Sequence, residues 1–451
     1  MKPSHLYRNV LAIAAPSVIE LVLSAATQLV DTIMVGQLGA YAISAVGLTT
    51  QPKLLMLASF VALNVGSTAL IARFKGQKDR QAAELVTAQS MLLALGFSAI
   101  LTIPGLLYAK QFVLFMGAAP DTVEAATTYF RILMIGFIPT VLPLAVSALL
   151  RGVGDAKTSM RFNVTANLAN VVLNYLLIYG HFGFPALGVA GAAIATIISH
   201  GIACTMALSS IAGRLSKIGE RSYAHLHLTK ENLKPHPEMI KRILRIGLPS
   251  AAEQLVMRLG LLIYTITISS LGTIVFAAHQ IVLSILNLSF VNGQAFGIAA
   301  ASLAGQALGR SDPDGAKKVS AASQKMGALV STAMGLAMFI FRYQLVGMFT
   351  REPDIIMLSA GIMLIVALIQ PFQSSFQIFA GALRGAGDSL YPAISIAVGV
   401  LGIRPALSLL FINKLAFGLY GAWLALGADQ VIRFTTIMLR FKGGRWLHAK
   451  V

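Results

Sequence analysis

The sequence predicts an all-α integral membrane protein: twelve transmembrane helices in two six-helix lobes, set as parallel pseudo-symmetric repeats around a central cleft. Three observations carry that expectation. Apolar runs of membrane-spanning length recur from end to end of the 451 residues, in a chain 56% hydrophobic and only 12% charged, far too apolar for a soluble domain. Lys and Arg gather in alternate loops, 25 on one side against 4 on the other. The two halves of the chain also repeat at an offset of 233 positions.

The runs are continuous and lack strict alternation, so helices are expected rather than a barrel. They cover about 10–36, 46–72, 85–108, 125–149, 160–180, 186–211, 243–270, 275–304, 318–341, 355–382, 390–413 and 417–439. The first follows MKPSHLYRN and imitates a signal peptide; without a small-residue cleavage site ahead of a soluble domain, it reads as a span. The basic asymmetry places both termini in the cytoplasm, and the expected location is the plasma (cytoplasmic or inner) membrane. Lys78, Lys157, Lys230 and Lys317 then face inward, and Lys110 and Lys414 outward.

A net charge of +18 would suggest nucleic acid in a soluble protein. Here the bases sit in loops without interleaved stacking aromatics, so no nucleic-acid partner is expected. Cys204, the single cysteine, excludes an intrachain disulfide and any cysteine-based metal motif, and reads as a packing residue. No phosphate loop, metal-ligand set or nucleophile–base pair stands out. ATP-driven transport, enzymatic chemistry and a cofactor are therefore not expected.

The repeat pairs Pro16 with Pro249, Ser17 with Ser250, Glu20 with Glu253 and Gly39 with Gly272. It carries Arg151-Gly152-Val153-Gly154-Asp155 onto Arg384-Gly385-Ala386-Gly387-Asp388, and Asp79 onto Asp312. One register held over so much of the chain marks an internal duplication. Each copy has an even number of spans, so both enter from the same side and the axis relating them lies along the membrane normal. The expected domains are an N-lobe, 1–211, a cytoplasmic linker, 212–242, and a C-lobe, 243–451. Lys234-Pro235-His236-Pro237 breaks any helix in the linker, and His225, His227 and His236 read as residues of a solvated loop.

The first span carries Ser17, Glu20, Ser24, Gln28 and Asp31 at steps of three or four, one stripe down one helix face. An uncompensated Asp near mid-membrane costs about 2.5–3.5 kcal/mol, so such a residue faces protein or water and marks an ion path. The fifth span answers with Asn163, Asn167, Asn170 and Asn174, an amide face that offers both donors and acceptors. Either it holds two helices together or it walls a polar cavity.

Two six-helix repeats, PSVIE and VDTIMVGQLG in the first span, RGVGD and RGAGD after the fourth and tenth, and AAHQI at 277–281 together resemble the multidrug and toxic compound extrusion family. The first-span motif and the Asn-rich fifth span are similar to the branch named for the DNA-damage-inducible protein F. The resemblance implies a coupling-ion site in the N-lobe formed by Asp31, Asn170, Asn174 and Thr196, for H⁺ or Na⁺. Some proton-coupled relatives have a carboxylate where this chain has Asn174, which leaves Asp31 the only acid there and the ion open. Relatives with a C-lobe sodium site have acids in the seventh and tenth spans. The tenth span here has Gln370, Gln373 and Gln377 instead, and only Glu253 survives in the seventh, so no second ion site is expected.

Candidates for the substrate cavity are Glu20, Gln28, Asn163, Asn167, His200, Glu253, Met257, Gln373 and Gln377. Glu20 and Glu253 have two open roles: attraction of cationic substrate across the cleft, or pairing with a base such as Lys53, Arg131, Arg258 or Arg404. Asp429 and Arg433 sit at ion-pairing helical spacing. The RGxGD loops read as structural hinges, and His279 as a satisfied packing residue. The expected function is a monomeric secondary antiporter that exports amphipathic or cationic organic compounds against a cation gradient. A lipid-linked saccharide flippase of related architecture is the alternative; its mark would be a cavity rich in Arg and Lys.

Overall fold

The structure is a computed structural model and describes residues 3–212 and 234–449. Most of the expected linker, with His225, His227 and Lys230, lies outside the described residues. Every regular element among the described residues is helical. The first half runs α1 (Pro3–Gly36), α2 (Ala40–Gln77), α3 (Arg80–Leu107), a short α4 (Ala109–Phe115), α5 (Val123–Ile135), α6 (Phe137–Gly152), α7 (Ala156–Tyr179) and α8 (Gly188–Ile211). The second runs α9 (Pro237–Ser269), α10 (Thr273–Gly309), α11 (Pro313–Ile340), a short α12 (Arg342–Gly347), α13 (Pro353–Ala386), α14 (Leu390–Ala397), α15 (Arg404–Leu409) and α16 (Gly418–Lys442). Helix α14, a π-helical turn over Val398–Ile403, α15 and a second π turn over Leu410–Lys414 follow one another without a break.

These helices supply the twelve expected spans, though several run past their apolar cores into the loops. Eight are long and apolar enough to cross a membrane on composition alone, and α5 with α6 forms a ninth, bent by 50°. The other three, α7, α11 and α16, are made more polar by the four Asn of α7, by Lys317, Lys318 and Lys325, and by Asp429 and Arg433. Bending of the fourth span was not expected from its hydropathy. The cause is local: Pro139 has no amide proton for Ile135, so the ladder breaks at Gly136. At the repeat-related positions Ile369 and Phe372, α13 continues as one helix.

The repeat extends to helix ends. Asp79 accepts from the Ala82 amide at 3.0 Å and Asp312 from the Gly315 amide at 2.7 Å, each capping the following helix. Gly154 and Gly387 hold φ of 84° and 96°, a left-handed turn that a side chain would strain, and so close the two RGxGD segments.

By contact the chain divides into one unit of Ile19–Gly247 and another of Met1–Val18 with Leu248–Val451. In the second unit α10 packs closely on α13. A Cβ on Gly381 would lie 2.3 Å from the Gly297 carbonyl oxygen, and one on Gly385 2.1 Å from that of Ala301. Small residues four apart let two membrane helices approach to backbone contact, where dispersion and weak polar contacts replace the absent hydrophobic drive.

Candidate functional site

The polar stripe of α1 lies against the amide face of α7 in one register. Asn163 Nδ2 donates to Glu20 Oε1 at 2.8 Å, Asn167 Nδ2 to Ser24 Oγ at 2.9 Å, and Asn174 Nδ2 to Asp31 Oδ1 at 2.5 Å. Each pair is separated by 143 residues, as two helices running side by side in the same direction require. The spacing of three and four on both helices is what lets every rung meet.

At the top of this ladder a cavity of about 280 Å³ opens within the first unit. Gln28, Asp31, Asn167, Asn170, Asn174, Thr196 and His200 all line it, with Asp31 the sole carboxylate of the lining. Asn170 Oδ1 accepts from Asn174 Nδ2 at 3.3 Å, and turning the Asn170 amide brings its nitrogen to 2.9 and 3.1 Å from the two Asp31 oxygens. In the other orientation that nitrogen stands 3.5 Å from Thr196 Oγ1. His200 Nδ1 is bonded to Thr140 Oγ1 at 2.7 Å. One carboxylate, two amides and a hydroxyl thus converge on one polar spot, donors and oxygen ligands suited to either a proton or a small hard cation. Lys53 of α2 lines the same cavity. The sequence offers Lys53 only as a partner for the glutamates; a lone ammonium in an apolar run is the signal for its place at the cavity.

Glu20 and Asn163 lie outside that lining. Glu20 is 5% exposed and forms an ion pair with Arg151, while Ser159 Oγ donates to its other oxygen at 3.2 Å. Its repeat mate Glu253 is held the same way by Arg384 at 2.6 Å. The bases that meet the two glutamates therefore come from the RGxGD motifs and are none of the four named from sequence.

The second unit has its own cavity of about 550 Å³, lined by Glu253, Met257, Gln373 and Gln377 among others. No polar ladder continues here. The positions 233 residues after the four Asn are Ile396, Val400, Ile403 and Leu407. Charge enters instead from Arg404, which donates through Nε and Nη2 to Asp429 Oδ2 at 3.1 and 2.6 Å. Arg433 donates to the two oxygens of the same carboxylate at 2.9 Å each. Asp429 thus binds two arginines, one more than the local pair its helical spacing predicts. His279 is fully buried and packs on Tyr264, Phe276 and Trp423, with ring centroids 5.6, 6.4 and 5.5 Å away. Neither ring nitrogen has a hydrogen-bond partner among the described residues, so it packs without being satisfied.

The profile of the MatE family matches the chain twice, over residues 16–176 and 249–410, one match to each repeat. A probable multidrug resistance protein NorM of Thermotoga maritima is 29% identical over 97% of this chain and 93% of its own length. The multidrug resistance protein NorM of Vibrio cholerae is 26% identical over 92% and 91%, and the uncharacterized transporter YisQ of Bacillus subtilis 28% identical over 99% and 96%. Among solved structures, a crystal structure of MATE in complex with MaD3S superposes with a TM-score of 0.88 at 24% identity, covering 99% of both chains. An outward-facing multidrug resistance MATE family transporter superposes equally well, at 0.88 and 24%. Duplicated sequence, twelve-helix two-lobe fold and relatives of full length agree: the chain belongs to the MatE family of multidrug efflux transporters.

Proposed function

We propose that this transporter is a secondary antiporter of the plasma membrane, exporting amphipathic organic compounds, cationic ones included, in exchange for H⁺ or Na⁺ by alternating access. The carrying observation is Asp31, the lone carboxylate of a polar cavity inside the first unit, met by Asn170 and Asn174 and close to Thr196. A carboxylate that gains and loses a cation inside the membrane changes the charge of its surroundings, and that change links an ion gradient to the state of a lobe. Asn170, Asn174 and Thr196 would orient Asp31 and supply neutral oxygens to a cation. Export needs no cofactor in this reading, and one chain suffices.

Glu20 and Glu253, each neutralised by an arginine, are assigned to holding the RGxGD turns. The charge of the substrate is then set by other residues. Four arginines around the cavity of the second unit favour the flippase alternative more than the sequence did. Substrate-dependent ion flux in proteoliposomes, with proton and sodium gradients imposed separately, tests the reading. Export should follow one of the two gradients; export indifferent to both would reject antiport.

A further inference from the structure

The cavity of the second unit has more positive charge than its carboxylates can offset. Its lining includes Arg258, Arg384, Arg404 and Arg433 with Glu253, and Asp429 lies directly behind Arg404 and Arg433. The Arg384–Glu253 pair is neutral. Asp429, fully buried, gives one negative charge to two guanidiniums that are themselves 6% and 4% exposed. Each of those arginines uses Nε and Nη2 on Asp429, and neither Nη1 has a partner among the described residues. Arg258, half-buried on α9, meets no carboxylate there either. Two cationic groups are thus left over in a membrane interior, where an uncompensated charge is costly.

The surroundings match a ligand rather than a structural plug. Tyr264 and Gln430 line the cavity, and the Tyr264 hydroxyl and Gln430 Oε1 are buried without hydrogen-bond partners among the described residues. Guanidinium planes stand over the Tyr264 and Phe376 rings, 5.6 and 5.0 Å from their centroids, so Arg404 and Arg433 are oriented before anything binds. Arg404 directly follows the π-helical turn Val398–Ile403, a widened stretch of backbone of the kind that recurs at functional sites. Leu283, Leu286 and Phe290 supply an apolar wall.

We propose that this cavity binds an amphipathic organic anion, its carboxylate, sulfonate or phosphate held by Arg258, Arg404 and Arg433 and its apolar body by Leu283, Phe290 and Phe376. The proposal rests on the reading of the chain as an exporter of organic compounds and names the charge class that this one cavity takes. The test is equilibrium binding without an ion gradient, so its outcome is separate from that of the antiport reading. Equilibrium dialysis of the purified full chain in nanodiscs would use 1-naphthylacetate and 1-naphthylmethylamine, one ring system with opposite charges. Naphthylacetate should bind at least about tenfold more tightly than the amine. Arg433→Gln leaves one guanidinium for Asp429 and should weaken naphthylacetate about tenfold, with little effect on the amine. Arg258→Gln lies outside the Asp429 network, keeps that network folded and should act the same way, while Arg258→Lys retains binding. Farnesyl phosphate displacing the bound acid identifies a lipid-linked phosphate as the source of the anion; failure to displace it identifies a free organic acid. Amine binding equal to or tighter than acid binding, no binding of either, or unchanged acid binding in Arg258→Gln overturns the proposal.

Discussion

Arg384 donates to Glu253 at 2.6 Å, and Arg151 makes the same bond to Glu20 with both partners 233 positions earlier. A duplication preserved at both ends of a contact marks that contact as a shared part of each lobe. Glu20 and Glu253 follow Pro16 and Pro249 by one helical turn, and Arg151 and Arg384 close α6 and α13. Each pair therefore ties the opening helix of a repeat to the end of its fourth span.

Removing one arginine leaves a buried carboxylate without its counter-charge, a loss of about 3–5 kcal/mol. Arg384→Ala should lower the thermal midpoint of the purified protein in detergent. Adding Glu253→Gln should recover most of the loss, because the orphaned charge goes with it. Arg151→Ala with Glu20→Gln should behave alike. An Arg384→Ala protein melting at the wild-type temperature would remove this role.

The rungs of the α1–α7 ladder differ in what they serve. The side-chain hydrogen bond of Asn167 among the described residues is to Ser24, one turn or more from Asp31 along the stripe, so Asn167→Leu should cost about 0.6 kcal/mol of stability, an average interhelical bond in a membrane, and leave ion dependence of export unchanged. Asn174 meets Asp31, so Asn174→Leu should disturb ion dependence well beyond its effect on melting. Equal effects of the two changes on coupling would mean that the ladder acts only as a seam.

Much of this arrangement is legible in the sequence. Asn163, Asn167, Asn170 and Asn174 repeat at helical spacing, and so do Glu20, Ser24 and Asp31, which fixes the faces that must meet. Twelve spans and the duplication follow from hydropathy and register in the same way. Contacts between distant segments were harder to see. The Arg404–Asp429 pair joins separate helices 25 residues apart, and no periodicity within either helix points to the other. The break at Gly136 depends on one proline displaced from it by three residues, a local backbone event inside an otherwise uniform apolar run. The Glu20–Arg151 contact has a signal in the sequence, since both residues recur as Glu253 and Arg384 at the same offset, as a residue pair in contact would.

Loop charge makes a topological prediction. In the first unit Lys78 and Lys157 are exposed, just after α2 and at the start of α7, and Lys110 is exposed on α4, one span further on than Lys78; in the second unit Lys317 is exposed in the first turns of α11 and Lys414 after α15. Cysteines placed singly at these positions in a Cys204→Ala background should react with an impermeant maleimide from outside only at 110 and 414. Labelling of position 78 or 317 from outside intact cells would invert the orientation.

The two cavities predict a division of labour. Gln373 and Gln377 line the cavity of the second unit, and Asp31 lines that of the first. Gln373→Ala or Gln377→Ala should change substrate preference or turnover in proteoliposomes and leave cation dependence intact. Loss of ion coupling with binding spared would move the ion site to the second unit.

Uphill transport by Asp31→Asn tests the central claim most directly. The substitution keeps the side-chain shape and removes the charge, so membrane insertion and folding should be unaffected or slightly easier. Substrate binding can survive, because coupling is a difference between states and a separate quantity from affinity. With the variant reconstituted and an imposed proton or sodium gradient, accumulation of substrate against its own gradient should vanish. A well-folded Asp31→Asn protein that still concentrates substrate at the wild-type ion stoichiometry would contradict the account and shift the coupling role to Glu20.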